Sequence, residues 1–217
     1  GTFICEINNQ AAVQGYTADS APIVIPVNTP GYSAMEAPTD YVTDSVSYTS
    51  AGFIYVAAGC RGRDAGAPAG VTDLKAAIRY IRYNDGVIPG DVDRVFSFGM
   101  SGGGAQSALL GATGDSEEYE PYLTAIGAVS GVSDAVTGSM CWCPITELDY
   151  ADEAYEWNLG STRTDLTEQE QTLSNGMAEA FAQYINDLGL KDSSGNVLTL
   201  TESEEGIYQS GTYYEYL

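Results

Sequence analysis

The sequence predicts an α/β protein, a mainly parallel sheet with helices on both faces. Three observations carry this expectation. Short apolar runs alternate with helical patterns across residues 21–146. The apolar runs are continuous rather than alternating, as in strands buried on both sides. Between the runs lie polar loops rich in glycine and proline, the places where such sheets carry function.

The elements follow in order. Residues 22–27 (PIVIPV) form a strand ended by Asn28-Thr29-Pro30-Gly31, and residues 53–58 (FIYVAA) form a second, ended by Gly59-Cys60-Arg61-Gly62-Arg63. The polar stretch 40–51 is long enough for a crossover helix between them, which completes one βαβ unit. From Val71, the residues Leu74, Ala77, Ile78 and Ile81 recur at helical spacing, with Lys75, Arg79 and Arg82 on another face and Thr72 as cap. Asn84-Asp85-Gly86 stops that helix, and residues 94–98 (RVFSF) run straight into Gly99. Residues 105–110 read as a helix, and the next buried run is either 125–129 or 135–141.

After Asp149 the character changes. Thr167 with Glu170 is a capping box, and Met177, Phe181, Tyr184, Ile185 and Leu188 continue an amphipathic helix that ends at Gly189. Residues 191–201 suggest a turn and one strand. The expected organisation is therefore a core over residues 1–160 and a helical and strand segment over 161–217.

Composition excludes several classes. Thirty acidic residues against eight basic ones give a formal charge of −22, which repels polyanions and anionic membranes, so no nucleic-acid partner is expected. Six of the eight basic residues, Arg61, Arg63, Lys75, Arg79, Arg82 and Arg94, fall in one stretch. No run of 18 apolar residues exists to span a membrane. Four cysteines, Cys5, Cys60, Cys141 and Cys143, lack the spacing of common zinc or redox motifs and read as small buried hydrophobes. Neither a metal nor another cofactor is expected. No basic-then-apolar leader opens at Gly1, as in a cytoplasmic protein or a mature chain whose leader has been removed.

Gly99-Met100-Ser101-Gly102-Gly103 directly follows an apolar strand and opens a helix, the context in which a nucleophile elbow works. Small residues permit the tight strand-to-helix turn that holds a serine with its Oγ exposed, and the Gly102 N–H, at the helix start, is aimed at a developing oxyanion. That makes Ser101 the candidate nucleophile of an α/β-hydrolase; the bland alternative is a glycine-rich turn packed on the sheet. A phosphate-binding loop is disfavoured, because the Lys-Ser/Thr pair of a P-loop is missing. A second oxyanion donor comes from the loop after an earlier strand in this fold, which points to Gly31; the competing reading is a plain Pro-Gly turn. Arg61 and Arg63 sit where α/β sheets hold ligands and could bind an acidic or polyphenolic group, or else pair with Asp64 or another carboxylate. The chain has no histidine to serve as base. Asp149 and Asp152 are possible acids with helix-capping or surface roles as the alternative, and Lys75 is a possible base without supporting spacing.

Several stretches, residues 15–23, 73–85, 99–114, 143–146 and 154–157, resemble the bacterial tannases and feruloyl-esterase-like α/β-hydrolases, and the likeness runs over most of residues 15–217. The resemblance implies an α/β-hydrolase core, incomplete at its carboxyl end, with the start of an inserted lid. It implies hydrolysis of phenolic-acid esters such as gallates or hydroxycinnamates, with Ser101 as nucleophile and the Gly31 loop as oxyanion loop. By the same resemblance, the acid and the histidine lie on a second polypeptide segment beyond Leu217, so this chain by itself is expected to be inactive. A small-molecule ester is the expected substrate, and a secreted or cell-surface location in a bacterium is expected, with the cytoplasm as alternative. The missing histidine leaves one other reading, a non-catalytic relative that serves as a binding or scaffold protein.

Overall fold

The computed structural model describes Phe3–Glu6 as backbone and residues 15–217 in full. The chain divides into two compact units, Gly1–Thr146 and Glu147–Leu217. The division falls before the helix at Ala151–Leu159.

The first unit is built on five strands: β1 (Phe3–Glu6), β2 (Pro22–Val27), β3 (Ile54–Ala58), β4 (Asp91–Met100) and β5 (Gly138–Trp142), in the order β1-β3-β2-β4-β5. β2, β3, β4 and β5 run parallel and β1 is antiparallel to β3. The crossovers carry α1 (Val46–Ser50), α2 (Ala69–Tyr83), α3 (Gly102–Ala112) and α4 (Glu120–Ala125). β2 reads as a continuous apolar run because it lies inside the sheet between β3 and β4; Ile23, Ile25 and Val27 are buried with Val56 and Val95. From α2, Leu74, Ile78 and Ile81 close the same core. Burying each such side chain contributes roughly 1.5–3 kcal/mol.

Several elements depart from the sequence expectation. The crossover at 40–51 is only a 3-10 turn at Thr43–Ser45 followed by the five-residue α1. Helix α2 begins at Ala69, before the expected start, so Thr72 is not its cap; Thr72 is fully buried and its hydroxyl donates to the Pro68 carbonyl. Of the two candidates for the next strand, 138–142 pairs with β4, while 125–129 holds the end of α4 and a turn at Gly127. Cys60 is buried and its thiol is pushed up by that burial; Cys141 is half-buried, Cys143 is exposed, and the Cys5 side chain lies outside the described residues.

The basic face of α2 is not a solvated face. Lys75 and Arg79 are 0% and 3% exposed, and both meet Asp134, itself 0% exposed, on the loop before β5. Lys75 Nζ donates to Asp134 Oδ1 at 2.7 Å and to the Thr113 carbonyl at 2.5 Å, at the carboxyl end of α3 where a cation is favoured. It also lies 4.6 Å from the centre of the Tyr119 ring. Arg79 Nε donates to Asp134 Oδ2 at 2.8 Å, and its guanidinium pairs with Glu120. Asp115 completes the group, accepting from the Asp134 N–H and the Ser133 hydroxyl.

In the second unit, α5 (Ala151–Leu159) packs on α6 (Glu168–Leu188), and a short α7 (Thr212–Tyr216) ends the chain. α6 begins at the expected capping box: Glu170 N donates to Thr167 Oγ1, and Thr167 N donates back to Glu170. It stops at Gly189, which is left-handed (φ 59°), as a helix-terminating glycine is. Phe181, Ala182, Ile185 and Leu200 form the core here, with Trp157 5.0 Å from Phe181. The expected strand at 191–201 is replaced by isolated bridges, Lys191 to Val197 and Thr201 to Ser210, and Asn186 ties that segment to α6 through both the N–H and the carbonyl of Leu200. Among the described residues no helix is long and apolar enough to cross a membrane, and no acid, cysteine and histidine group is arranged to hold a metal ion.

Candidate active site

Ser101 stands between β4 and α3 at φ 55°, ψ −122°, a conformation that side chains other than glycine rarely adopt. Such a residue costs about 1–3 kcal/mol and persists only where its surroundings dictate it. Here the surroundings are main chain. The Ser101 N–H donates to the Trp142 carbonyl at the end of β5, at 2.9 Å. A Cβ on Gly99 or Gly103 would strike the Val27 carbonyl oxygen at the end of β2, and one on Gly104 would strike that of Trp142. The glycines let the turn settle between the ends of the two strands that flank β4, and those contacts hold the serine in this backbone geometry.

Ser101 itself is half-exposed, and among the described residues no group hydrogen-bonds its Oγ. Gly102 opens α3, so its N–H has no partner within the helix and points out of the helix start. A Cβ built on Gly102 would collide with the Thr29 carbonyl and with Tyr32 N, and would lie 3.2 Å from Gly31 N. The loop after β2 and the first residue of α3 are thus in main-chain contact. In that loop the Tyr32 N–H is taken by the Thr29 carbonyl at 2.9 Å, and Gly31 is left-handed at φ 57°. Ser101, Gly102 and Gly31, singled out from sequence on separate grounds, meet at the carboxyl end of the sheet. The arrangement can present a hydroxyl beside the main chain of Gly102 and of the loop after β2, which suits attack on a carbonyl whose oxygen gains charge.

The other candidates separate. Arg61 is held by Asp73 through a bidentate pair, with Nη2 to Oδ1 at 2.8 Å and Nε to Oδ2 at 2.9 Å, which raises its own pKa further. Its partner is Asp73 rather than Asp64. Arg63 makes no ion pair among the described residues, and its Nη1 donates to the Gly31 carbonyl at 3.1 Å. Lys75 is committed to Asp134 and Thr113 and is not a base for Ser101. Asp149 and Asp152 are exposed in the second unit, Asp152 in the first turn of α5 where the helix dipole favours an acid. Gln106, Thr29 and Trp142 belong to this site and were not singled out from sequence. The one available signal was Gln106, a lone amide in a helix of otherwise small or apolar residues.

The BD-FAE family model matches residues 13–186. The chain belongs to the BD-FAE family. The solved structures similar to this BD-FAE chain include tannin acyl hydrolase in complex with ethyl gallate, 37% identical with a TM-score of 0.77, covering 94% of this chain and 49% of that one. The tannase of Fusobacterium nucleatum is 38% identical with a TM-score of 0.73, covering 89% of this chain and 49% of that one. The native tannin acyl hydrolase from Lactobacillus plantarum is 37% identical with a TM-score of 0.75, covering 94% and 49%. This BD-FAE chain spans about half the length of these tannases. No curated protein matches it. Its parallel sheet and these relatives together establish the α/β-hydrolase fold, in partial form, within a tannase-like family.

Proposed function

We propose that the chain carries the attacking half of a bacterial serine esterase that hydrolyses esters of phenolic acids such as gallates or hydroxycinnamates. The observation that carries this reading is the forced conformation of Ser101 at the end of β4, beside the Gly102 and Gly31 main chain. Ser101 Oγ attacks the ester carbonyl carbon, and its proton passes to a histidine supplied from outside these residues, oriented by an acid also from outside. The oxyanion is held by the N–H groups of Gly102 and Gly31. Collapse expels the alcohol, which takes the proton from the histidine, and water then releases the acid from the acyl-enzyme by the same steps. The kinship with tannases that are about twice as long supports a separate source for the base, as does the lack of histidine. A secreted or cell-surface location goes with this reading.

A serine-directed fluorophosphonate tests it on the chain alone and on the chain joined to the encoded sequence after Leu217. Labelling of the longer protein at Ser101, lost in Ser101→Ala and absent from the chain alone, is the expected result. An unlabelled longer protein sinks the proposal. It would favour the second reading, a non-catalytic binding or scaffold protein, which the absence of histidine supports.

A further inference from the structure

Two consecutive residues of the loop after β2, Gly31 and Tyr32, are left-handed, at φ 57° and 60°. For a tyrosine that backbone is uncommon and must be imposed. The Tyr32 N–H bond to the Thr29 carbonyl closes the turn but does not fix where the turn sits. Its placement is fixed by side chains: Tyr32 Oη donates to the Ile145 carbonyl at 3.3 Å, and two further side chains reach the turn from other elements. Thr29 is 0% exposed, and its hydroxyl accepts from Gln106 Nε2 at 3.2 Å. Gln106 is itself 4% exposed and lies on α3, the helix that opens with Gly102. Its other amide atom, Oε1, is buried with no hydrogen-bond partner among the described residues, so the amide's polar interaction is committed to Thr29 alone.

From a separate element, the loop after β3, Arg63 donates to the Gly31 carbonyl. The choice of partner is informative. The chain holds 30 acidic residues, and the neighbouring Arg61 has taken a carboxylate, yet Arg63 has none among the described residues and rests on main chain. The loops beneath are packed to match, since a Cβ on Gly62 would strike the backbone of Ser33 and Ala34.

We propose that Gln106 and Arg63 are positioning residues that clamp the loop 29–32, so that the Gly31 N–H converges with that of Gly102 on one point. This rests on the esterase reading given above. Neither side chain needs to touch substrate. Removing either lets the loop drift, and a donor displaced by a fraction of an ångström stabilises the tetrahedral state less while leaving ground-state binding intact.

The experiment uses the longer protein encoded with the sequence after Leu217, with methyl gallate as substrate and phenylboronic acid as a tetrahedral analogue. Arg63→Met is expected to lower kcat about 10- to 100-fold at nearly constant KM and to weaken the boronic acid by a similar factor. Arg63→Lys should recover part of both, because it restores a donor. Gln106→Met should act in the same direction, and the thermal midpoint shows whether that buried change has also cost the fold. Because Arg63 is exposed, its variants decide the matter if the Gln106 variant unfolds. A raised KM at unchanged kcat in Arg63→Met would mean that Arg63 binds substrate, and wild-type values in that variant would mean that it holds nothing; either overturns the clamp while the esterase reading stands. Wild-type protein inert to both ester and fluorophosphonate overturns the esterase reading and the clamp with it.

Discussion

The two ends of β4 are stabilised by different kinds of contact. At its carboxyl end, Ser101 is held by main-chain atoms alone, the Trp142 carbonyl and the close-packed glycines, and its hydroxyl has no partner among the described residues. At its amino end, side chains add to the main-chain bonds of Asp91 N to the Ala21 carbonyl and Thr137 N to the Val95 carbonyl. Arg82 Nε donates to the Val92 carbonyl, Thr137 donates to the Asp93 carbonyl and accepts from Val95 N, and Asp134 on the adjoining loop meets the buried Lys75 and Arg79 of α2. One end leaves a hydroxyl available for chemistry, whereas beside the other the buried charges of Lys75, Arg79 and Asp134 meet one another. The same strand carries a reactive turn at one end and a side-chain anchor at the other.

The largest loss is expected at the anchored end. Asp134→Ala leaves two buried cations facing each other without their shared carboxylate and is expected to cost about 3–5 kcal/mol, read as a fall in the urea midpoint. A loss under about 1 kcal/mol would mean that the group is solvated and no anchor at all. At the reactive end the sign reverses. Ser101→Gly relieves the left-handed backbone and should raise stability by about 1 kcal/mol while abolishing fluorophosphonate labelling. Equal or lower stability in that variant would show that the turn stores no strain.

How far each end was legible in the sequence follows the same division. The turn was readable because its parts are local: an apolar strand, a run of glycines and a helix start lie within a dozen residues. The capping box at Thr167 and Glu170 was readable for the same reason. The anchored end was not, since Lys75 and Arg79 at helical spacing look like a solvated face until Asp134, more than fifty residues on, folds against them. Nor was the early start of α2, where Thr72 suggested a cap but the chain already turns helical at Ala69 and buries Thr72. In the oxyanion loop Gly31 was legible, whereas Gln106 and the partner of Arg63 needed tertiary structure.

The smallest expected effect sharpens the electrostatic side. Burial pulls the Asp115 carboxyl upward, but the Ser133 hydroxyl, the Asp134 N–H and the charges of Arg82 and Arg79 outweigh it and hold it below its usual value. A carboxyl depressed in the folded state contributes stability above its unfolded pKa, near 4, and that contribution is lost as pH falls through the folded value. Wild-type protein should therefore weaken as the medium is acidified below pH of about 4, and Asp115→Asn should flatten that part of the profile. An unchanged slope in a series of urea melts from neutral to acid pH would remove Asp115 from the group.

β5 forms one edge of the sheet, with Met140 and Trp142 each 51% exposed along it. Among the described residues β5 is paired on one side only, and such a strand beside two bulky apolar side chains is a template on which another extended segment can be added. In a concentrated solution of this chain, that edge is where copies would first adhere. The charge of −22 is what keeps them apart, so added salt should lower its solubility rather than raise it.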